Sequence, residues 1–193
     1  MLTQNKILTE YVSDLLALER CICQTIGQQS KADEVQASAE AVELLSRLAT
    51  THHRHIVGLD NQLKALGSDP TVIAKEMVGS VIGLMAGTIE KFRSHALSRM
   101  LRDDHTALSH ATLGYAALHS AALMLKNTSA ADLALRHLQN LTPFIAEISE
   151  MIPSTIAREV ASECPGADTS LASAALANAH NALKGEAVHQ YAT

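Results

Sequence analysis

A glutamate and two histidines occupy positions where the surrounding pattern requires apolar side chains. Glu19 follows Leu15 by four residues, and His52 follows Leu48 by four. His55 comes three residues after His52, so both imidazoles can reach one metal ion from a single helix. Imidazole nitrogens and carboxylate oxygens are ligands of iron, manganese and zinc. We therefore predict Glu19, His52 and His55 as metal ligands.

Three further residues are candidates to complete the coordination of a single ion. Asp104 follows Leu101 by three residues, and His137 precedes Leu141 by four, so both lie in the apolar register of their own segments. His119 is the third candidate. The chain contains no nucleophile elbow, no phosphate-binding glycine loop and no pair of carboxylates in core register, which disfavours an enzyme.

The alternative to a metal for Glu19 is an ion pair with a basic residue, for which Arg47 is the first candidate. Counted from a turn at Ser30, Glu19 is 11 residues away and His52 is 22 residues away. At about 1.5 Å per residue this places the two about 16 Å apart along the helix axes. The count favours Arg47 as the partner of Glu19, with a histidine as the second choice.

Composition favours helices around one core. The 193 residues are 47% hydrophobic but only 3% aromatic, without tryptophan, which disfavours sheets. The net charge of -5 disfavours nucleic acid as a partner. Three cysteines without zinc or disulfide spacing favour a reducing, cytoplasmic location. The start of the chain does not look like a signal peptide, and no apolar run reaches the ~20 residues of a membrane span.

Apolar residues recur at spacings of three and four, which predicts four long helices and one weak terminal helix. Pro143 and Pro153 are expected to kink or interrupt the fourth long helix. The second should begin after a cap at Ser30 and end at Gly67, because proline follows at Pro70. The others are predicted over residues 3–29, about 98–126, from about 127 onward, and 170–183.

Three glycines four residues apart, Gly79, Gly83 and Gly87, lie within the uncharged run Met77 to Ile89. Each glycine costs about 1 kcal/mol in a helix, so three on one face indicate that another backbone approaches closely. That backbone belongs either to the same chain or to a second copy. We predict a homodimer through this face.

Taken together, the motifs resemble the ferritin-like superfamily, most closely its small bacterial, stress-related members. The resemblance covers about residues 5–162. It rests on Leu18-Glu19-Arg20, His52-His53-Arg54-His55, the segments 101–108 and 114–119, and Leu141-Thr142-Pro143. It implies a ferritin-like four-helix bundle over residues 1–163, with a long helical crossover between helices two and three. Residues 164–193 would form an Ala- and Ser-rich tail.

The resemblance also implies which ligands are lost. Di-iron members carry a carboxylate on helix one, Glu-x-x-His on helix two, a carboxylate on helix three and Glu-x-x-His on helix four. Glu19 matches the first ligand and His55 the histidine of the second motif, but His52 stands where glutamate is expected. The remaining positions carry apolar residues or tyrosine: Leu108, Ala111, Tyr115, Leu135 and Leu138. The expectation is a degenerate site, no cofactor, and a non-catalytic binding, structural or stress-related role; the alternative is a mononuclear Glu/His site for Fe, Mn or Zn.

Overall fold

The computed structural model describes residues 4–68 and 96–186. Within these ranges 88% of the residues are helical and no strand occurs, which confirms the all-α prediction. The helices are α1 (Gln4–Gln29), α2 (Asp33–Gln36), α3 (Ala39–Ala65), α4 (Leu97–Met124), α5 (Thr128–Glu163) and α6 (Ala172–Lys184), with a short 3-10 turn at Thr169–Leu171.

The four long helices, α1, α3, α4 and α5, pack side by side. Hydrogen bonds define their directions. Asn5 near the start of α1 bonds to Leu66 at the end of α3, and Gln29 at the end of α1 bonds to Asp104 near the start of α4. Both α3 and α4 therefore run antiparallel to α1, and parallel to each other. Glu159 of α5 accepts bonds from the first turn of α4, so α5 runs antiparallel to α4.

Each long helix buries one stripe of side chains at the predicted three- and four-residue spacing. The stripes meet in one core built mainly from leucine, isoleucine and alanine, with one buried tyrosine, Tyr115. Its largest fully buried members include Leu8, Leu16, Ile26, Leu44, Leu45, Leu48, Leu59, Leu63, Leu101, Leu108 and Leu118. A few polar residues interrupt the stripes, and some of them form the sites described below.

The connection from α1 to α3 is longer than the predicted turn at Ser30. Ser30 does not cap a helix; its hydroxyl donates to the carbonyl of Ile26. The single-turn helix α2 follows and buries its own Val35, and the cap of α3 is Ser38, whose hydroxyl accepts from the backbone N–H of Ala41. The predicted start of the second long helix was therefore several residues too early.

Both prolines lie inside α5, which runs through them as one helix of 36 residues, so the predicted interruption was wrong. Proline removes one backbone N–H, and the freed carbonyl four residues earlier needs another partner. Pro143 and Gln139 are both exposed, so water can solvate that carbonyl. The predicted terminal helix is present as α6, which packs on α5; none of its side chains whose burial is described is fully buried.

The glycine face predicted for dimerisation (Gly79, Gly83, Gly87) and the predicted crossover lie outside the described residues. The homodimer therefore stays a prediction. In the part of the chain that is described, no helix combines the length and apolarity needed to cross a membrane.

Candidate metal centre

Glu19 of α1 and His52 of α3 meet at nearly the same height in the core. Glu19 lies ten residues before the end of α1, and His52 lies thirteen residues after the start of α3. At about 1.5 Å per residue the two heights differ by only about 5 Å. The predicted gap of about 16 Å was wrong because nine residues, including α2, separate the two helices. Those residues shift α3 along α1 until the three predicted ligands come together.

The carboxylate of Glu19 is fully buried and accepts three hydrogen bonds. His55 donates from Nδ1 to Oε1 at 3.0 Å, and Tyr115 donates its hydroxyl to the same oxygen at 2.6 Å. His52 donates from Nδ1 to Oε2. The donor atoms of Glu19, His52 and His55 all lie within 4.8 Å of one another. We call these three residues with Tyr115 the Glu19 centre.

The electrostatics of Glu19 follow from its partners. Burial alone would raise the pKa of this carboxyl, but hydrogen bonds and charge from His52 and His55 outweigh burial and lower the pKa to about 2. Glu19 is therefore an anion in the folded protein at neutral pH. A carboxylate can only accept hydrogen bonds, so each imidazole carries a proton on Nδ1 in this arrangement. Burial and the adjacent carboxylate raise the pKa of Tyr115 well above its usual value, so its hydroxyl stays protonated.

His137 of α5 packs against the centre without joining its hydrogen bonds. Its ring stacks on His55 with centroids 3.9 Å apart and planes 10° from parallel. Burial, together with His55 and Arg136, lowers the pKa of His137 to about 3, so this imidazole is neutral. Gly58 leaves the room for the ring, since a Cβ there would lie 3.1 Å from it. His137 of α5 thus packs on the face of the His55 ring.

The outer nitrogens of the two ligand histidines differ in their surroundings. Nε2 of His55 lies 3.4 Å from the side-chain amide nitrogen of Asn140, an exposed residue of α5. Nε2 of His52 is buried and has no hydrogen-bond partner among the described residues. The centre therefore reaches toward the surface through His55 and Asn140, whereas Nε2 of His52 is enclosed within the protein.

The other predicted ligands lie elsewhere. Asp104 bonds to Gln29, ten residues along α1 from Glu19, and is not in the centre. Nδ1 of His119 donates to the carbonyl of Ala131 at 2.9 Å. The predicted ion pair between Glu19 and Arg47 was wrong, because Arg47 points outward to Glu147 of α5 and lies over the ring of Phe144.

On the α4 side, the side chain that reaches the centre is that of Tyr115. Leu108 and Ala111 are fully buried, and Tyr115 supplies the hydroxyl described above. Within residues 4–68 and 96–186, Glu19 is the only carboxylate in the cluster. The arrangement thus offers one carboxylate and two imidazoles to a single ion, with a phenol alongside.

Two supporting residues, Asn140 and Gly58, were missed by the sequence analysis. Gly58 did carry a usable signal, since a glycine in the middle of a long helix costs about 1 kcal/mol and often makes room for a neighbour. It lies three residues after His55, on the same face of α3. Asn140 has no such signal, because its relation to His55 depends on how α3 and α5 pack.

No protein-family model, curated protein or solved structure matches this chain. What the centre can bind follows from its donor atoms. Two imidazole nitrogens and a carboxylate oxygen suit Fe(II), Mn(II) or Zn(II), and they do not suit Ca²⁺ or Mg²⁺, which prefer oxygen ligands. The residues present therefore fit a single transition-metal ion.

Proposed function

We propose that this protein is a ferritin-like helical bundle that binds one divalent transition-metal ion through Glu19, His52 and His55. The observation that carries the proposal is the convergence of three donor groups within 4.8 Å, all buried and all on apolar stripes. Two ligands that each lie about 2.1 Å from a metal at right angles are about 3 Å apart. The 3.0 Å between Nδ1 of His55 and Oε1 of Glu19 is compatible with that spacing.

The directions of the helices support the ferritin-like part of the proposal. The resemblance expects a long crossover between helices two and three, and such a connection joins helices that run in the same direction. The corresponding helices α3 and α4 are parallel, as their separate contacts with α1 require.

A mononuclear site fits the charge at the centre better than a dinuclear one. Two divalent cations side by side repel each other and need several carboxylates between them. Only Glu19 is available in the described cluster, and the buried stripe of α4 before Tyr115 carries Leu108 and Ala111 where a di-iron site would need a carboxylate. We therefore propose binding of one ion without di-iron oxidation chemistry. The cytoplasmic location and the stress-related role stay predictions.

A metal-free structural network is the second candidate, favoured by the three hydrogen bonds that Glu19 already accepts. In that case the centre ties α1, α3 and α4 together and no ion displaces the Nδ1 protons. The two candidates differ in metal content and in pH dependence, because an ion on Nδ1 must displace protons and so binds more tightly as pH rises.

Metal analysis of protein purified without a nickel column tests the proposal. We expect about one equivalent of iron, manganese or zinc per chain, lost in His52→Ala and His55→Ala. His53→Ala is the matched control, because His53 is exposed on the same helix and should keep the metal. Less than about a tenth of an equivalent, with no thermal stabilisation when Fe(II), Mn(II) or Zn(II) is added under anaerobic conditions, would establish the metal-free network instead.

A further inference from the structure

A second buried carboxylate, that of Asp104, lies beside the C-terminal end of α1, away from the Glu19 centre. Asp104, on the second turn of α4, is 5% exposed. Its Oδ1 accepts a hydrogen bond of 3.0 Å from Nε2 of Gln29, the last residue of α1. Neither Oδ2 of Asp104 nor Oε1 of Gln29 has a partner among the described residues, and both atoms are buried.

Oδ2 of Asp104 and Oε1 of Gln29 are both acceptors, so one of them must carry a proton for the two to bond to each other. If Asp104 is ionised, its Oδ2 and the Oε1 of Gln29 both stay without a donor, and a buried negative charge stays without a cation. Both defects cost free energy. In the described ranges no ion pair involves Asp104; the adjacent Asp103 is the acid that pairs with Arg102. One proton on Oδ2 removes both defects, because a carboxylic acid can donate to the amide oxygen while accepting from the amide nitrogen.

We propose that Asp104 is a neutral carboxylic acid that donates from Oδ2 to Oε1 of Gln29, and that loss of this proton to solvent loosens the end of α1 from α4. The two bonds then close a ring between acid and amide. This pair is separate from the Glu19 centre, and it does not depend on whether that centre binds a metal.

The charged surroundings favour the acid. Burial is the main cause that raises the pKa of Asp104, to about 7; the bond from Gln29 partly offsets it and the charge of Asp103 adds to it. Asp103 lies on the same helix, and the side chain facing Asp104 from α1 is the uncharged Gln29. The end of α1 also carries the partial negative charge of its last carbonyls, which disfavours an anion nearby. The positive end of α4 would stabilise an anion only in the first turn of that helix, and Asp104 lies beyond that turn.

Stability measured against pH in the wild type and in Asp104→Asn tests the proposal. Asparagine offers the same shape, an acceptor oxygen and an NH2 group of which one N–H can donate to Gln29, so it preserves both bonds and cannot ionise. A folded pKa above the unfolded value of 3.8 means that the folded chain retains a proton that the unfolded chain releases. The folding constant of the wild type, divided by that of Asp104→Asn, should fall about tenfold per pH unit between about pH 4 and pH 7, then level off. The total loss should approach a thousandfold.

Asp103→Asn is the matched control, because it removes a carboxyl from the same turn and should leave most of this pH dependence in place. A pH-independent ratio of wild type to Asp104→Asn would overturn the proposal. So would a ratio that depends on whether Na⁺, K⁺ or Mg²⁺ is present at fixed ionic strength, since a bound cation would then hold an ionised Asp104.

If Asp104→Asn does not fold, the wild type itself supplies the answer. With ¹³C-labelled aspartate, the side-chain carboxyl resonance of Asp104, assigned through its backbone, should stay at the position of a protonated acid until about pH 7. A resonance that moves near the ordinary value of 3.8 would show that Asp104 is ionised at neutral pH, and the acid–amide pair would be wrong.

Discussion

Glu19 and Asp104 are two buried carboxylates on the same core, and their pKa values move in opposite directions. Glu19 accepts from two imidazoles and a phenol, and its pKa falls to about 2. Asp104 accepts from one neutral amide, and its pKa rises to about 7. Burial raises the pKa of both groups, so the donors around each carboxylate decide its charge. Below about pH 7 the same core therefore holds an anion at one height and a neutral acid about ten residues away along α1.

The largest difference between the two sites should be seen when each acid is removed from metal-free protein. Glu19→Leu leaves three buried donors without an acceptor and should lower the free energy of unfolding by about 3–5 kcal/mol. Asp104→Leu leaves only the amide of Gln29 unpaired and should cost about 1–3 kcal/mol. Urea denaturation at neutral pH in the presence of a chelator measures both. Equal losses would mean that the hydrogen bonds from His52, His55 and Tyr115 add no stability beyond that of the single bond at Asp104.

Acid should expose the second difference. A folded pKa of about 2 lies below the unfolded value of 4.5, so Glu19 contributes stability that is present above about pH 4.5 and is lost as pH falls through about 2. The loss should amount to about 3 kcal/mol relative to Glu19→Gln, whereas Asp104 contributes nothing to it. Denaturation curves between these pH values measure it. Glu150→Gln, at an exposed position, serves as control. If Glu19→Gln lost as much stability in acid as the wild type does, the prediction would be wrong.

The phenol should account for part of the stability of the Glu19 centre. Tyr115→Phe keeps the buried ring and removes only the hydroxyl that donates to Oε1 of Glu19. A hydrogen bond to a charged group contributes about 1.5–3 kcal/mol, so the variant should be destabilised by about 2 kcal/mol. Tyr11→Phe is the control, because Tyr11 is 39% exposed and should change little. A neutral Tyr115→Phe would show that the two histidines satisfy Glu19 without it.

The smallest effect concerns the ring behind His55. Gly27 and Gly58 both lie in long helices, but a Cβ meets nothing within 4 Å at Gly27 and meets His137 at 3.1 Å at Gly58. Gly27→Ala should therefore stabilise the protein by about 0.5–1 kcal/mol. Gly58→Ala should not show that gain, because the added Cβ would press on the His137 ring, which is held in place by its stack on His55. Thermal melts of the two variants compare them. An equal gain at both positions would show that His137 is free to move.

The residues of the centre were predictable because each interrupts an apolar stripe. A glutamate at position 19 and histidines at 52 and 55 must be satisfied in the core, whatever the partner. The partners were not predictable by counting from Ser30, because α2 moves α3 by several residues. Arg47 therefore faces Glu147 and the histidines face Glu19. Asp104 was in core register as predicted, but its height matches Gln29 and not Glu19.

The sequence by itself determined the helices and the polar positions in their stripes, since both follow from local spacing of apolar and polar residues along one chain. Only the tertiary structure decided which polar residues meet, because that depends on the lengths of connections and on the axial shift of one helix against another. It also decided the charge of each buried carboxyl. Glu19 and Asp104 have similar burial and nearly the same chemistry, and the donors that helix packing brings to each make one an anion and the other an acid.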